Sequence, residues 1–168
     1  MLTIPFYHYK VSNWKEKKEQ LLDFVSNLSF KYFDKPANLY TTYGDQTSSI
    51  PLKILEDDIL KFTTEVKYSG EINAEIWFQK YYENQFHSPH NHGAIGYSSV
   101  LYINFDKRMH DGTRFLAPFN DPDGNHVEFA PDVDEGSLIF FPSYLYHFTI
   151  PNKSDSIRII MSMNIRKK

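Results

Sequence analysis

The sequence predicts a mainly β domain, a sandwich or small barrel with helices gathered towards its N-terminal end. Three observations carry that expectation. Apolar residues in the first seventy positions recur at helical spacing, and from Glu71 onward short runs rich in β-branched and aromatic residues take over. Turn signals then separate those runs at short intervals, which implies antiparallel strands rather than parallel βαβ units. The 12 Tyr and 14 Phe suit half-buried strands better than helices. A chain of 168 residues fits a single domain, residues 1–168, with a helical part over about 1–70 packed on a β core over about 71–166.

In chain order, Ser12 or Asn13 could cap a helix from about Trp14 to Tyr32, with Leu21, Leu22, Phe24, Val25 and Leu28 as its apolar stripe and Pro36 beyond its end. A second helix starts near Pro51, a favoured first-turn residue, and carries Leu52, Ile54, Leu55, Ile59, Leu60 and Phe62. Seven strands come after it: Ile72–Glu83, Tyr97–Phe105, Thr113–Pro118, Val127–Ala130, Ser137–Phe141, Tyr146–Ile150 and Ile157–Ile165. Turns at His92-Gly93, Asp111-Gly112, Asp121-Pro122-Asp123-Gly124, Glu135-Gly136 and Pro151-Asn152 set them apart.

Composition removes several function classes. A formal net charge of −3 gives no reason to expect nucleic acid as an obligatory partner, and Lys15, Lys17 and Lys18 read as a solvated helix face. No apolar run approaches the ~20 residues of a membrane span, and no charged leader precedes a long apolar stretch. The absence of cysteine excludes disulfides and thiolate ligands and leaves the compartment undecided, so any metal must be held by nitrogen and oxygen.

Seven histidines differ in what they offer. His8, His126 and His110 read as surface or satisfied residues. His90 and His92, at spacing two on an extended segment, point to one side. Alone, that pair fits a polar turn equally well. His147 changes the balance, because it sits in an apolar stretch where an imidazole needs a partner to offset burial, and a metal is one such partner. Three ligands on one face of an ion leave the other positions open for a bidentate co-substrate and dioxygen, the layout of non-haem Fe(II) oxygenases. Arg158 alone reads as a sheet-edge arginine paired to a surface carboxylate. Its place on the strand after His147 instead suggests adjacent antiparallel strands that put both groups in one cavity, where a guanidinium can grip a carboxylate with two parallel hydrogen bonds.

At this point the residues resemble a known family. From about Trp77 to Asn164 the chain is similar to the 2-oxoglutarate- and Fe(II)-dependent dioxygenases of the double-stranded β-helix (jelly-roll, cupin-like) fold. The nearest branches are the prolyl-4-hydroxylase-like group and the small oxygenases of bacteria and phages. The matching segments are Asn84 to His92, Ser98 to Asn104, Asp111 to Phe115, Glu135 to Ser143, His147 to Pro151, and Arg158 with Ser162-Met163-Asn164 after it. Each is short; their order and spacing carry the match, and the first seventy residues match much less clearly. The resemblance implies that His90 and His147 bind Fe(II), and that Arg158 binds the far carboxylate of 2-oxoglutarate with Tyr102 and Ser98 hydrogen-bonding the same group. Most of the superfamily has Asp or Glu where this chain has His92, which is kept as the third ligand. Turned away, His92 would leave a position that could admit a halide.

The reaction implied by the resemblance is oxidative decarboxylation of 2-oxoglutarate to succinate and CO2, coupled to hydroxylation of a C–H bond of a small molecule or peptide side chain. Ascorbate is an expected stimulant, and the cytoplasm of a bacterium or phage-infected host the expected location. Two other readings stand beside it. One is a cupin-type metalloprotein without 2-oxoglutarate, which would not need a buried guanidinium eleven residues after the last ligand. The other is a non-enzymatic binding jelly-roll with incidental histidines. The loops Gly44–Ile50 and Lys107–Thr113 are expected to shape the substrate entrance. The primary substrate and the oligomeric state are not readable from the sequence.

Overall fold

A computed structural model describes residues 3–45, 48–68 and 70–168. The helical signals near the N-terminus become three short helices. Helix α1 (Trp14–Ser26) buries Leu21 and Val25 and ends six residues before the expected Tyr32. The side chains of Ser26 and Asn27 donate to the Asp23 carbonyl there, satisfying a last-turn acceptor. Neither expected cap closes the other end. Asn13 occupies the cap position at φ 49° without a side-chain bond. Instead the Asp58 carboxylate accepts from the Ser12 amide at 3.0 Å, the Ser12 hydroxyl at 3.2 Å and Lys17 at 2.6 Å, tying the start of α1 to α3. The second expected helix is broken at Leu55 into α2 (Ser49–Ile54), capped by the Ser48 hydroxyl, and α3 (Glu56–Glu65).

The first seventy residues are not only helical. They contribute three strands, β1 (Tyr7–Lys10), β2 (Lys31–Phe33) and β3 (Ala37–Thr41), each completing the edge or seam of a sheet formed later in the chain. The remaining strands are β4 (Ile72–Tyr81), β5 (Phe86–His90), β6 (Tyr97–Asn104), β7 (Arg114–Asn120), β8 (His126–Phe129), β9 (Ser137–Pro142), β10 (His147–Thr149) and β11 (Arg158–Lys167). Seven of these match the expected runs to within a few residues; β5 is additional.

All pairings are antiparallel, in the order β1-β9-β6-β11-β4-β3-β5-β10-β7-β8, with β2 on the outer edge of β3. Strand β3 pairs with β4 through Tyr40 and Thr41 and with β5 through Ala37 and Asn38, so it curls one sheet into the next and makes a jelly-roll. One consequence corrects an expectation. His147 and Arg158 do not lie on hydrogen-bonded neighbours, because β10 pairs with β5 and β7 whereas β11 pairs with β4 and β6.

The period of two sorts side chains into two cores. The outer face of the larger sheet presents Ile76, Phe78, Leu101, Ile103, Phe140, Met161 and Met163 to Leu21, Val25, Leu55, Ile59 and Phe62 of the helices. Phe62 stacks on Phe140 with ring centres 3.8 Å apart. The inner face presents Tyr81, Val100, Tyr102, Ile139, Phe141 and Ile160 to Phe115, Val133 and Leu145. On β4 the inner residues run Tyr81, Gln79, Trp77, Glu75 and Asn73, passing from fully buried to exposed. The interior therefore has a closed floor at Tyr81 and opens beyond Trp77.

Candidate active site

Strand β5 carries the first histidine, His90, directly opposite His147 on β10. His92 lies two residues past the end of β5, its backbone N–H held by the Ser143 carbonyl at 2.8 Å and its ring against Trp77 with centres 5.3 Å apart. The three imidazoles converge, with one ring nitrogen of each within 4.8 Å of the others. Second partners decide which nitrogen faces inward. His90 Nδ1 donates to the Ser88 carbonyl at 2.8 Å and His147 Nδ1 to the Leu145 carbonyl at 2.9 Å, leaving Nε2 of both rings as a lone pair.

Burial keeps these rings neutral. It pushes His147 well below the ordinary imidazole range and lowers His90. His92 falls to about 4, by burial first and then by the charges of His90 and Arg166. Neutral imidazoles with converging lone pairs are the state a metal ion requires. No Asp or Glu joins the cluster among the described residues, so the donor set fits a borderline N-liganded ion such as Fe(II).

A small pocket adjoins the cluster, lined among others by Trp77, Gln79, Tyr81, His87, Thr149 and Ser162. Arg158, 1% exposed, packs against Tyr81 of that lining, its guanidinium 4.1 Å from the ring centre. One nitrogen, Nη1, donates to the Asp111 carbonyl at 2.6 Å, while Nε and Nη2 are buried and make no hydrogen bond among the described residues. No carboxylate pairs with it among the described residues. Burial is also what lowers its pKa, with Tyr81 and Tyr102 opposing the shift. The buried Tyr102 hydroxyl stands beside it and accepts the Thr113 amide at 3.0 Å.

The other expected residues fall differently. Ser98 is on the correct inner face but not at the floor. It lies four residues along β6 from Tyr102, roughly 13 Å at strand rise, and its hydroxyl donates to Asn164 at 2.8 Å and meets Ser143 at 3.0 Å. The loop Lys107–Thr113 closes the floor rather than the entrance, through the Asp111 carbonyl on Arg158. Gln46 and Thr47 of the loop Gly44–Ile50 lie outside the described residues. His110 is buried and satisfied, accepting from the Asp106 amide and donating to the Ser156 carbonyl, while His8 and His126 are exposed.

Sequence reasoning missed Tyr81, Gln79 and His87. The first two share the inner parity of β4 with Trp77, a signal the sequence carried. His87 lies three residues before His90, so regular alternation puts it on the opposite face. The pairings His147↔His90 and Thr149↔His87 count three residues on β5 against two on β10, and that bulge turns His87 inward. Its ring stacks on His90 with centres 3.8 Å apart. Burial first, then the charges of His90 and His92, lower it to about 3.

With this geometry in hand, comparison with known proteins is informative. None of the curated protein sequences matches the chain. Among solved structures, a Pseudomonas putida prolyl-4-hydroxylase superposes with a TM-score of 0.69 at 15% identity, covering 99% of this chain and 94% of the other. HygX from Streptomyces hygroscopicus, solved with nickel, 2-oxoglutarate and hygromycin B bound, gives 0.75 at 12% identity, covering 99% and 84%. A Trichoplax adhaerens prolyl hydroxylase in complex with a hypoxia-inducible-factor peptide fragment gives 0.67 at 13%, covering 98% and 84%. At such identities these likenesses establish the jelly-roll fold. The family comes from the sequence itself, because residues 75–164, more than half of the chain, match the family model described as "Putative 2OG-Fe(II) oxygenase". The chain belongs to the 2OG-Fe(II) oxygenase family, whose enzymes take Fe(II) and 2-oxoglutarate, and the cupin-type and non-enzymatic readings fall away.

Proposed function

We propose that His90, His92 and His147 hold the Fe(II), that Arg158 with Tyr102 holds the far carboxylate of 2-oxoglutarate, and that the enzyme hydroxylates a C–H bond of a small molecule or peptide side chain. The single observation that carries the co-substrate reading is the guanidinium of Arg158, buried with two nitrogens unsatisfied and no carboxylate among the described residues paired with it. A buried cation is costly until an anion of matched shape meets it, and two adjacent free N–H groups fit a carboxylate. The converging ring nitrogens support the ligand set, and the iron would supply the oxidative chemistry when bound. This chain's residues orient the co-substrate between two fixed ends and leave the side of His92 and Trp77 open for the substrate. We place the enzyme in the cytoplasm; among the described residues no helix is long and apolar enough to cross a membrane.

Purified protein given Fe(II) should convert 2-oxoglutarate slowly to succinate without its substrate, and His147→Ala should abolish this. Calorimetric titration of 2-oxoglutarate into metal-loaded protein should show Arg158→Ala weakened by about 2–5 kcal/mol, the range for removing one partner of a desolvated charge pair. Arg158→Lys should be weakened less, keeping the charge but not the fork. Unchanged succinate release in His147→Ala would place the metal elsewhere, and equal affinity in Arg158→Ala would remove the carboxylate assignment.

A further inference from the structure

His87 stands outside the three-histidine cluster, yet its proton is fixed by the residues around it. The Ser162 hydroxyl donates to Gln79 Oε1 at 3.0 Å, which leaves the Gln79 amide nitrogen facing His87 Nδ1 at 3.2 Å. An amide N–H can only donate, so Nδ1 is the lone pair and Nε2 carries the proton. Gln79 is 4% and Ser162 6% exposed, so neither can readily exchange its partner for water. The His87 backbone N–H is tied to the Thr149 hydroxyl at 3.0 Å, and the Ser88 hydroxyl pins the bulge to the Pro36 carbonyl. What remains is one N–H, that of Nε2, with no acceptor among the described residues, on a ring that lines the cavity of His90, His92 and His147.

The wall that carries this ring sets what it can meet. Gln79 and Tyr81 are successive inner residues of β4, and Tyr81 stacks on Arg158. Thr149 is the next inner residue after His147 on β10. His87 therefore stands between the histidine cluster and the buried guanidinium, the span a dianion must cross if it chelates metal at one end and pairs with Arg158 at the other. We propose that His87 is a further binding residue for the co-substrate, its Nε2–H donating to an oxygen of 2-oxoglutarate, with Gln79 and Ser162 as positioning residues that set the tautomer. This rests on the reading that 2-oxoglutarate occupies the cavity. A side chain that merely supported His90 by stacking would not need its tautomer fixed.

The test uses the full chain, nitrogen-15 NMR of its histidines without metal, and calorimetry of 2-oxoglutarate into Ni(II)-loaded protein. His87 is expected as the Nε2–H tautomer. His87→Phe keeps a ring against His90 but loses the donor, and should weaken 2-oxoglutarate about 10- to 100-fold, the range for a hydrogen bond to a charged group. Its Ni(II) affinity should stay near wild type. His87→Gln returns an N–H near the same place and should recover most of the loss. Gln79→Leu removes the donor that fixes Nδ1 as the acceptor, so both His87 tautomers should appear and 2-oxoglutarate should weaken, though by less than in His87→Phe. An Nδ1–H tautomer in the wild type overturns the proposal. So does unchanged 2-oxoglutarate affinity in His87→Phe and Gln79→Leu, or a loss that only parallels lost Ni(II) binding. If wild type does not bind 2-oxoglutarate, or Arg158→Ala binds it equally well, the wider reading fails and takes this one with it. If Arg158→Ala fails to bind while the His87 variants bind normally, only the role of His87 is lost.

Discussion

Arg158→Met should leave the ligand-free protein about as stable as wild type while removing most of its response to 2-oxoglutarate. Breaking an ordinary buried ion pair costs about 3–5 kcal/mol because it strands the remaining charge. Here no charge is stranded, since Nε and Nη2 of Arg158 make no hydrogen bond among the described residues and Nη1 meets only a neutral carbonyl. Each unmade buried donor costs about 1–3 kcal/mol, so the two together weigh about 2–6 kcal/mol against the fold. Methionine recovers that and gives up the bond to the Asp111 carbonyl, worth about 1.5–3 kcal/mol, and the stack on Tyr81, worth about 2 kcal/mol. The two sides nearly cancel, so the expected change lies within about 3 kcal/mol of zero in urea denaturation of metal-free protein. With Ni(II) and 2-oxoglutarate at a hundred times its Kd, wild type should gain about 2.7 kcal/mol, or roughly 5–11 °C in Tm for a chain of this size. Over Ni(II) alone, the Met variant should gain less than about 1 kcal/mol from the same 2-oxoglutarate concentration. A ligand-free loss above about 3 kcal/mol, or a 2-oxoglutarate shift as large as that of wild type, would refute the idea that this arginine awaits an external anion.

Acid should destabilise the metal-free protein earlier than its carboxylates alone would. His92 and His87 are lowered by burial to about 4 and about 3, so the unfolded chain binds their protons first as pH falls below about 6.5. The stability they contribute is whole above that pH and is lost down to about pH 4 and 3 respectively. Each should add a slope of about 1.4 kcal/mol per pH unit between pH 6 and 5, with His90 and His147 adding in the same direction. Denaturation at pH 7, 6 and 5 in chelator checks this, and a flat profile would contradict the burial argument. Asp58→Ala should cost about 3–5 kcal/mol, because it leaves the half-buried Lys17 and the Ser12 amide without their shared acceptor. A loss below about 1 kcal/mol by urea titration would mean the tie between α1 and α3 is ornamental.

Parts of this architecture were legible in the sequence because they obey a period. From β4 onward, apolar alternation and turn residues located seven strands, and the spacing of His90, His92 and His147 located the cluster. Strands β1 to β3 were not legible, since each is short and is stabilised by a partner that appears later in the chain. Strand β5 reads as Phe-His-Ser-Pro-His, too polar and too broken by Pro89 to show alternation, and the same bulge hides His87. Ser98, expected from the resemblance to share the far-carboxylate site, has the parity of Tyr102 on β6, but height along the strand depends on pairing register, which no single-strand pattern contains. Likewise, that Arg158 lacks a carboxylate can be known only after every acidic side chain of the fold has been placed.

The histidine at position 92 ties the two ends of the site together. On the proposed ligand set of three neutral imidazoles, the protein would contribute no negative charge to a divalent ion, whereas a carboxylate at that position would contribute one. On that reading the negative charge comes from the co-substrate, whose inner carboxylate would meet the ion while its far carboxylate meets the Arg158 guanidinium. Metal and 2-oxoglutarate should therefore bind with positive coupling, each raising the affinity of the other by the same factor. Arg158 enters this coupling without touching the metal, because whatever weakens the dianion also weakens the ion it neutralises. The deep imidazoles and the orphaned guanidinium are thus two halves of one electrostatic arrangement, each carrying a cost of burial that only the joint presence of cation and dianion offsets.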